Sequence, residues 1–467
     1  MNWKRNIVLL SALVLVAGWY YFYEIRGEAL RRTRSIESVR ILPGALVTDV
    51  QKFSIQRFVT LPDDIPDIEM SDKVYTIEIV RSNDRWVLTQ PVQADCDQDY
   101  ADKAILRFTQ LQKGRTVDEK PDSLTPYGLD NPAFKVSLDC ADQSTICFIG
   151  DKNPVGDSFY AMFQGDDAVY LISNEIKSDL FSTAYEFRNK SILEASRQEI
   201  TRLALTFKDN DVRLVFERNP EGDWLISNMM DAPTDVVRLE ETLSALTAQS
   251  VQNFIDDPQP MKEYGLDTPW LTIEARINDQ NDFQFDIGGY ADSGGKMRFA
   301  RKNASGPVLL VKKSFFELFK PDFFHYRSKT VCNMDRGVIN KIRIEQADRI
   351  IELIRLADVG WQMTEPPTSA TDSTAVGSYL STLTYLRATG LKPEQESFGD
   401  SSATIRLFSD VNSENALTTL TIGAQPEDGV GRWVICSDNA TVFRISGTDV
   451  ERLLPDPSTF SVVESTD

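Results

Sequence analysis

SNDRWVL (82–88), PEGDWLI (220–226) and ADVGWQM (357–363) read as one phrase written three times. Each begins with turn-forming residues and ends with a tryptophan in an alternating, strand-like run. Trp86, Trp224 and Trp361 stand 138 and 137 residues apart. A fixed long period marks a repeated folding unit.

Working outward from each tryptophan, the landmarks keep their spacing. Asp97, Asp235 and Asp372 lie eleven residues on. Ala101, Ile105 and Phe108 follow the first, Leu239, Leu243 and Leu246 the second, and Val376, Leu380 and Leu383 the third. Steps of four and three set each trio on one helix face. The aspartate is then an N-cap, its carboxylate accepting first-turn amide protons. Next comes Tyr127-Gly128-Leu129-Asp130-Asn131-Pro132, repeated as Tyr264-Gly265-Leu266-Asp267-Thr268-Pro269. Gly128 and Gly265 suit a tight turn with positive φ. The third copy keeps only Phe398-Gly399-Asp400. Strand-like runs end at Ile149-Gly150, Ile287-Gly288 and Ile422-Gly423, and a short amphipathic helix closes each copy. Val50, Phe53 and Ile55 open the first copy. Ile200, Leu203 and Leu205 open the second, and Ile339, Ile342 and Ile344 the third.

These landmarks predict an α+β protein of three tandem modules, each an antiparallel sheet with one main helix, in an elongated body. The modules run 46–194, 195–333 and 334–461, with a C-terminal tail at 462–467. A Pro- and Asp-rich insertion near Leu61–Asp72 reads as a loop. Each tryptophan reads as a plug of its module's core. The other reading, a row of stacking sites for a ligand, fits less well with its place among inward-facing residues.

Ahead of the modules, Ile7–Tyr23 (IVLLSALVLVAGWYYFY) carries no charge, follows Lys4 and Arg5, and ends in an aromatic cluster. That pattern predicts a short transmembrane helix after a cytoplasmic tail at 1–6, with a juxtamembrane linker at 24–45. No small-x-small cleavage site follows, so an uncleaved anchor is favoured over a signal peptide. Arg26, Arg31, Arg32 and Arg34 follow the span, and by flanking charge alone they would hold the body in the cytoplasm. A short tail before an apolar run is the arrangement of exported signal-anchor proteins, and a body outside the cytoplasm is the expectation.

A chain of 467 residues, 42% hydrophobic and 26% charged, is long enough for about three folded domains and is not disordered. Its net charge of -20 repels phosphate backbones, which excludes nucleic acid as a partner. Five cysteines and a single histidine offer no clustered soft-metal ligands, and no metal or cofactor is expected. Asp95, Asp97 and Asp99 mimic a calcium loop, but Tyr100 and Leu106 stand where glycine and an acid are required. Gly289–Lys296 (GYADSGGK) has the wrong spacing for a phosphate loop, and Met297 replaces its hydroxyl residue. His325 corresponds to Glu186 in the first copy, so the module needs no imidazole there. No catalytic residue is assigned. Cys140 and Cys147 flank a turn between two strands and read either as a cross-strand disulfide or as two small buried thiols. Cys96, Cys332 and Cys436 read as unpaired.

Several of these motifs occur together elsewhere. The anchor, Trp86-Val87-Leu88-Thr89-Gln90-Pro91, the acid-capped helix, Y-G-L-D-x-P, the Ile-Gly strand end, Phe159-Tyr160-Ala161 and the stretches Arg188-Asn189-Lys190 and Arg327-Ser328-Lys329 resemble the bacterial domain-of-unknown-function family 4340. The resemblance implies a single-pass inner-membrane protein with a periplasmic body. It also implies an accessory role beside ABC transporter subunits of gliding-motility type, and it carries no catalytic residues. The expectation is a non-enzymatic structural or accessory protein of an envelope complex. The alternative is a periplasmic binding protein holding a lipid, glycan or peptide along the array.

Overall fold

The computed structural model describes residues 40–42, 45–58, 74–229, 231–278, 281–392, 398 and 400–462. The anchor at Ile7–Tyr23 and the insertion at Leu61–Asp72 lie outside them. Among the described residues no helix is long and apolar enough to cross a membrane.

Three sheets follow one another along the chain. The first contains β1 (Val50–Phe58), β2 (Val74–Ser82), β3 (Arg85–Gln90), β4 (Ala94–Asp95), β5 (Thr116–Asp118), β6 (Phe134–Cys140), β7 (Ser144–Lys152), β8 (Ser158–Phe163) and β9 (Val169–Ser173). Its order is β4-β3-β2-β1-β6-β7-β8-β9-β5. The second contains β10 (Ile200–Phe207), β11 (Val212–Arg218), β12 (Trp224–Ile226), β13 (Ala232–Pro233), β14 (Asn253–Ile255), β15 (Leu271–Ile277), β16 (Asn281–Tyr290), β17 (Met297–Lys302) and β18 (Ser305–Lys312). Its order, β13-β12-β11-β10-β15-β16-β17-β18-β14, repeats the first strand for strand. The third contains β19 (Lys341–Gln346), β20 (Arg349–Leu356), β21 (Gly360–Glu365), β22 (Gly390–Leu391), β23 (Ala403–Phe408), β24 (Thr418–Ile422), β25 (Arg432–Cys436) and β26 (Asn439–Ile445). It runs β21-β20-β19-β23-β24-β25-β26-β22, the same path without the outermost strand. The α+β reading and the three-part repeat are both present in the structure.

By internal contacts the chain divides into two compact units. One comprises Met1–Ile192, Ser250–Gln259 and Gly306–Val311, the other Leu193–Gln249, Pro260–Ser305 and Lys312–Asp467. The first unit holds all of the first sheet, and the second holds all of the third.

The opening strand of each copy lies at the sheet's centre because both neighbours match its alternation. Phe53 faces Ile79 and Leu138 across its two ladders, and Ile55 faces Ile77 and Val136. In the second copy Leu205 faces Leu214 and Ile273, and in the third Ile344 faces Ile351 and Ile405. Such cross-strand apolar trios fix register, since a slip of one residue would turn them outward. The helices Gln98–Thr109, Val236–Ala248 and Ser373–Thr384 cover that apolar face. Their trios from Ala101 to Leu383 are all buried.

The Tyr-Gly turn and the Ile-Gly strand end belong to one contact. Gly128 and Gly265 both adopt φ 65°, closing a 3-10 turn. A Cβ on Gly150 would lie 2.2 Å from the Tyr127 carbonyl oxygen, and one on Gly288 would lie 2.3 Å from that of Tyr264. Glycine is required on the strand because backbone packs directly on backbone. In the third copy the Phe398 ring takes this place, 2.9 Å from a Cβ built on Gly423. Gly399 lies outside the described residues.

Candidate functional site

The repeated landmarks converge at one end of each main helix. Trp86 sits on β3 opposite Arg81, whose guanidinium lies 4.5 Å from the indole centre. Trp224 pairs in the same way with Arg218 at 4.7 Å, and Trp361 stands opposite Arg355. All three rings are buried, which is the environment of core plugs. The arginine stands five or six residues before each tryptophan in the sequence, a signal the motif reading passed over. Trp86 Nε1 donates to Asp102 at 2.8 Å. Sixteen residues after Trp224 stands Glu240, which is engaged by Arg197 at 3.0 Å, and Trp224 Nε1 has no partner among the described residues. In the third copy that position is Gly377.

Each N-cap aspartate bonds through both its side chain and its backbone. The carboxylate of Asp97 accepts from the Tyr100 amide at 3.0 Å, that of Asp235 from Arg238, and that of Asp372 from Thr374 and Ala375. The aspartates' own backbone amides donate to Phe187, Tyr326 and Phe460 carbonyls respectively. These aromatics end the three copies and are fully buried. Bridges Cys96↔Arg188, Thr234↔Arg327 and Thr371↔Ser461 continue the contact by one residue.

The chain then leaves each copy through a join. Arg188 turns to Asp256, with Nη1 at 2.8 Å from both carboxylate oxygens, and stacks on Phe254 at 3.8 Å. Lys190 lies 3.8 Å from Asp97 and donates to the carbonyls of Glu186 and Arg188. At the equivalent place Arg327 donates to Thr441 Oγ1 and stacks on Phe443 at 4.8 Å, while Lys329 lies 3.6 Å from Asp235. Ser191 then bridges Ser250, and Thr330 bridges Arg387. Arg40 bridges Gln112 in the same manner ahead of the first copy. The last copy has Ser461 in the arginine's position.

The cysteines depart from the sequence reading. Cys332 and Cys436, read as unpaired, form a disulfide, with S–S at 2.09 Å and Cα atoms 5.7 Å apart. It links the segment leading into the third copy to β25, a pairing of residues 104 apart that local sequence does not reveal. Cys140 and Cys147 are free. The β6–β7 register places Cys147 opposite Val136, four residues along β6 from Cys140. Side chains that far apart cannot be bridged without moving the backbone. Cys147 is buried and Cys140 partly so, and burial raises both pKa values. Cys96 is buried beside Asp95 and Asp97, and burial before charge pushes its thiol up to about 12, so it is a poor nucleophile. The Cys332 and Cys436 sulfurs and Asp438 lie close enough to suggest a metal site. Disulfide sulfurs are not thiolates, however, and Asp438 accepts from the Asn333 amide at 3.1 Å.

His325 stands at the second join. Burial first, and then the charges of Arg238 and Lys329, hold its pKa below the usual value. An open, polar cavity of about 540 Å³ lies on the outer face of the third sheet, among Lys341, Arg343, Glu345, Arg406 and Phe408. Its cations are engaged: Arg343 by Glu345 and Glu352, Arg406 by Glu345, and Lys341 by the Val411 and Ser413 carbonyls. It offers no apolar groove of the kind a lipid would need.

Comparison with known proteins adds one match. A family model described as "Domain of unknown function (DUF4340)" matches residues 86–269 and again 224–399. The two placements start on successive repeat tryptophans, as the internal period requires. No curated protein matches. Among solved structures, a mutant of the vaccine antigen transferrin binding protein B from Haemophilus parasuis aligns at 9% identity. The alignment covers 85% of this chain and 68% of that one, with a TM-score of 0.07. A likeness so slight carries no argument.

Proposed function

Since the chain belongs to the family described as Domain of unknown function (DUF4340), a description that assigns no activity, we propose from its own residues that it is a non-enzymatic, membrane-anchored structural or accessory protein. Its body stands in the periplasm, and its partner, as the family resemblance implies, is an ABC-type exporter or a related envelope complex. The observation that carries this reading is the use made of charged side chains at the repeated landmarks. Asp97, Asp235 and Asp372 cap helices and hold the ends of copies, and Arg188 and Arg327 reach across joins. Groups that an enzyme would aim into a cleft are spent here on closing copies and on joining them. The Cys332–Cys436 disulfide supports an oxidising compartment, and with it a body outside the cytoplasm. The apolar span Ile7–Tyr23 supplies the anchor.

Two measurements test the reading. Protease added to spheroplasts should digest the body while cytoplasmic markers survive. Purification of the full chain in mild detergent should bring exporter subunits with it. Digestion only after lysis would overturn the topology, and a chain recovered alone would overturn the accessory role.

A further inference from the structure

The two joins share one framework but not one charge balance. At the first, Arg188 and Lys190 meet Asp256 and Asp97, two cations on two acids. At the second, Lys329 and Arg387 share Asp235, while Arg327 donates to Thr441 and meets no acid among the described residues. Glu186 of the first join is His325 in the second. Arg327 is only 5% exposed, and its Nε and Nη1 have no partner among the described residues. A buried guanidinium carries five donors in a fixed fork, and leaving them unmet is unfavourable unless an anion reaches them. Exposed apolar side chains neighbour Asp235 and Arg387 along the chain. Val236 and Val237 directly follow Asp235 at 57% and 66% exposure, and Tyr385, at 74%, precedes Arg387 by two residues. The first copy has Gln98 and Asp99 where the second has those valines.

We propose that the second join receives a carboxylate-bearing segment of a partner protein, whose acid meets Arg327 as Asp256 meets Arg188. The apolar side chains of that segment cover Val236, Val237 and Tyr385. Charge complementarity selects this occupant. The chain as a whole carries -20, so a basic segment is drawn to the body in general and repelled here. An acidic segment is repelled elsewhere and finds its countercharge at this join. The inference rests on reading the chain as an interaction protein, and it names the chemistry of the partner.

The test uses the full chain in detergent and a short fluorescein-labelled oligoglutamate, followed by anisotropy. The wild type should bind it saturably, and more weakly as salt rises. Thr441→Asp sets a carboxylate beside Arg327 from within the chain, and Arg387→Ser removes a rim charge. Each should weaken binding about tenfold or more, a difference of about 1.4 kcal/mol. An unlowered melting temperature for Thr441→Asp shows that the loss is not unfolding. Asp256→Ala should open a second binding event at the first join. Equal binding by wild type and Thr441→Asp would overturn the proposal. So would inorganic phosphate competing as well as the peptide, which would mean a free-anion site. The peptide assay and exporter co-purification read different things, so either can fail while the other succeeds.

Discussion

The backbone N–H of Asp97 donates to the carbonyl of Phe187 at 2.8 Å, tying the start of the first copy's helix to that copy's last aromatic. The same bond joins Asp235 to Tyr326 at 2.6 Å and Asp372 to Phe460 at 2.8 Å. One residue therefore caps a helix with its side chain and closes its copy with its backbone. Closure comes before the chain passes on, so each copy can complete its own core while the joins remain a separate layer of contacts.

This double role separates two substitutions. Alanine at Asp372 removes the cap and should cost about 1 kcal/mol, which asparagine should mostly recover, and at Asp97, whose carboxylate also lies 3.8 Å from Lys190, asparagine should recover somewhat less. At Asp235 the carboxylate also meets Lys329 at 3.6 Å and Arg387 at 3.4 Å. Alanine there should cost about 2 kcal/mol, and asparagine should recover only the capping part. Urea denaturation of the six variants checks the pattern, and equal recovery by asparagine at all three sites would contradict it.

Two glycines should respond with opposite signs. Gly288→Ala drives a methyl onto the Tyr264 carbonyl and should destabilise by about 2 kcal/mol. Gly377 lies inside the Ser373–Thr384 helix with open space around it, and Gly377→Ala should stabilise by about 0.5–1 kcal/mol. Thermal melts of both, run side by side, decide the point.

Much of this was legible before coordinates. The tryptophan period, the aspartate cap and the four-three trios are local patterns, and local patterns survive in sequence because secondary structure writes them. The left-handed glycines were legible for the same reason, while their backbone contact with Gly150 and Gly288 was not, since it joins segments more than twenty residues apart. The Cys332–Cys436 link was read wrongly on the same grounds. Spacing offered Cys140 with Cys147 as the one candidate pair, beside their equal reading as two free thiols, and strand register, not proximity in sequence, decides for the free thiols. The charge difference between the joins was visible as Glu186 against His325. Its meaning needed Asp256, which folding brings to Arg188 from 68 residues away.

The disulfide should matter to one copy only. Closing residues 104 apart restricts the unfolded chain by about 5 kcal/mol on the loop-entropy estimate. Replacing both Cys332 and Cys436 by alanine, or adding dithiothreitol, should destabilise the third sheet by up to that amount. Hydrogen exchange should speed in β24 and β25 while β6 and β7 keep their protection. Uniform loss across all three sheets would contradict this.

Acid should weaken the second join through His325. Burial first, and then Arg238, Lys329 and Lys320 against Asp322, hold its folded pKa below the 6.5 of the free side chain. The unfolded chain therefore binds the proton more readily. Above about pH 7 the residue contributes no pH dependence. As pH falls through 6.5 towards the folded pKa, stability is lost, and the loss is complete below that value. His325→Gln should flatten that part of the stability curve below about pH 7, and an unchanged slope would remove His325 as its source.

The indoles offer the sharpest comparison, since fold and burial are shared and one bond differs. Trp86→Phe gives up the 2.8 Å bond to Asp102, whose carboxylate keeps solvent and Arg81 at 3.9 Å. Trp224→Phe gives up an N–H that already lacks a partner among the described residues. Both lose similar ring area and similar stacking with Arg81 or Arg218. The first should therefore cost about 1 kcal/mol more than the second, and removing an unmet buried donor could leave Trp224→Phe close to neutral. Adding Asp102→Ala to each variant completes the cycle. It should erase the difference at Trp86 and leave Trp224→Phe unchanged, because residues in different copies with no shared partner act additively.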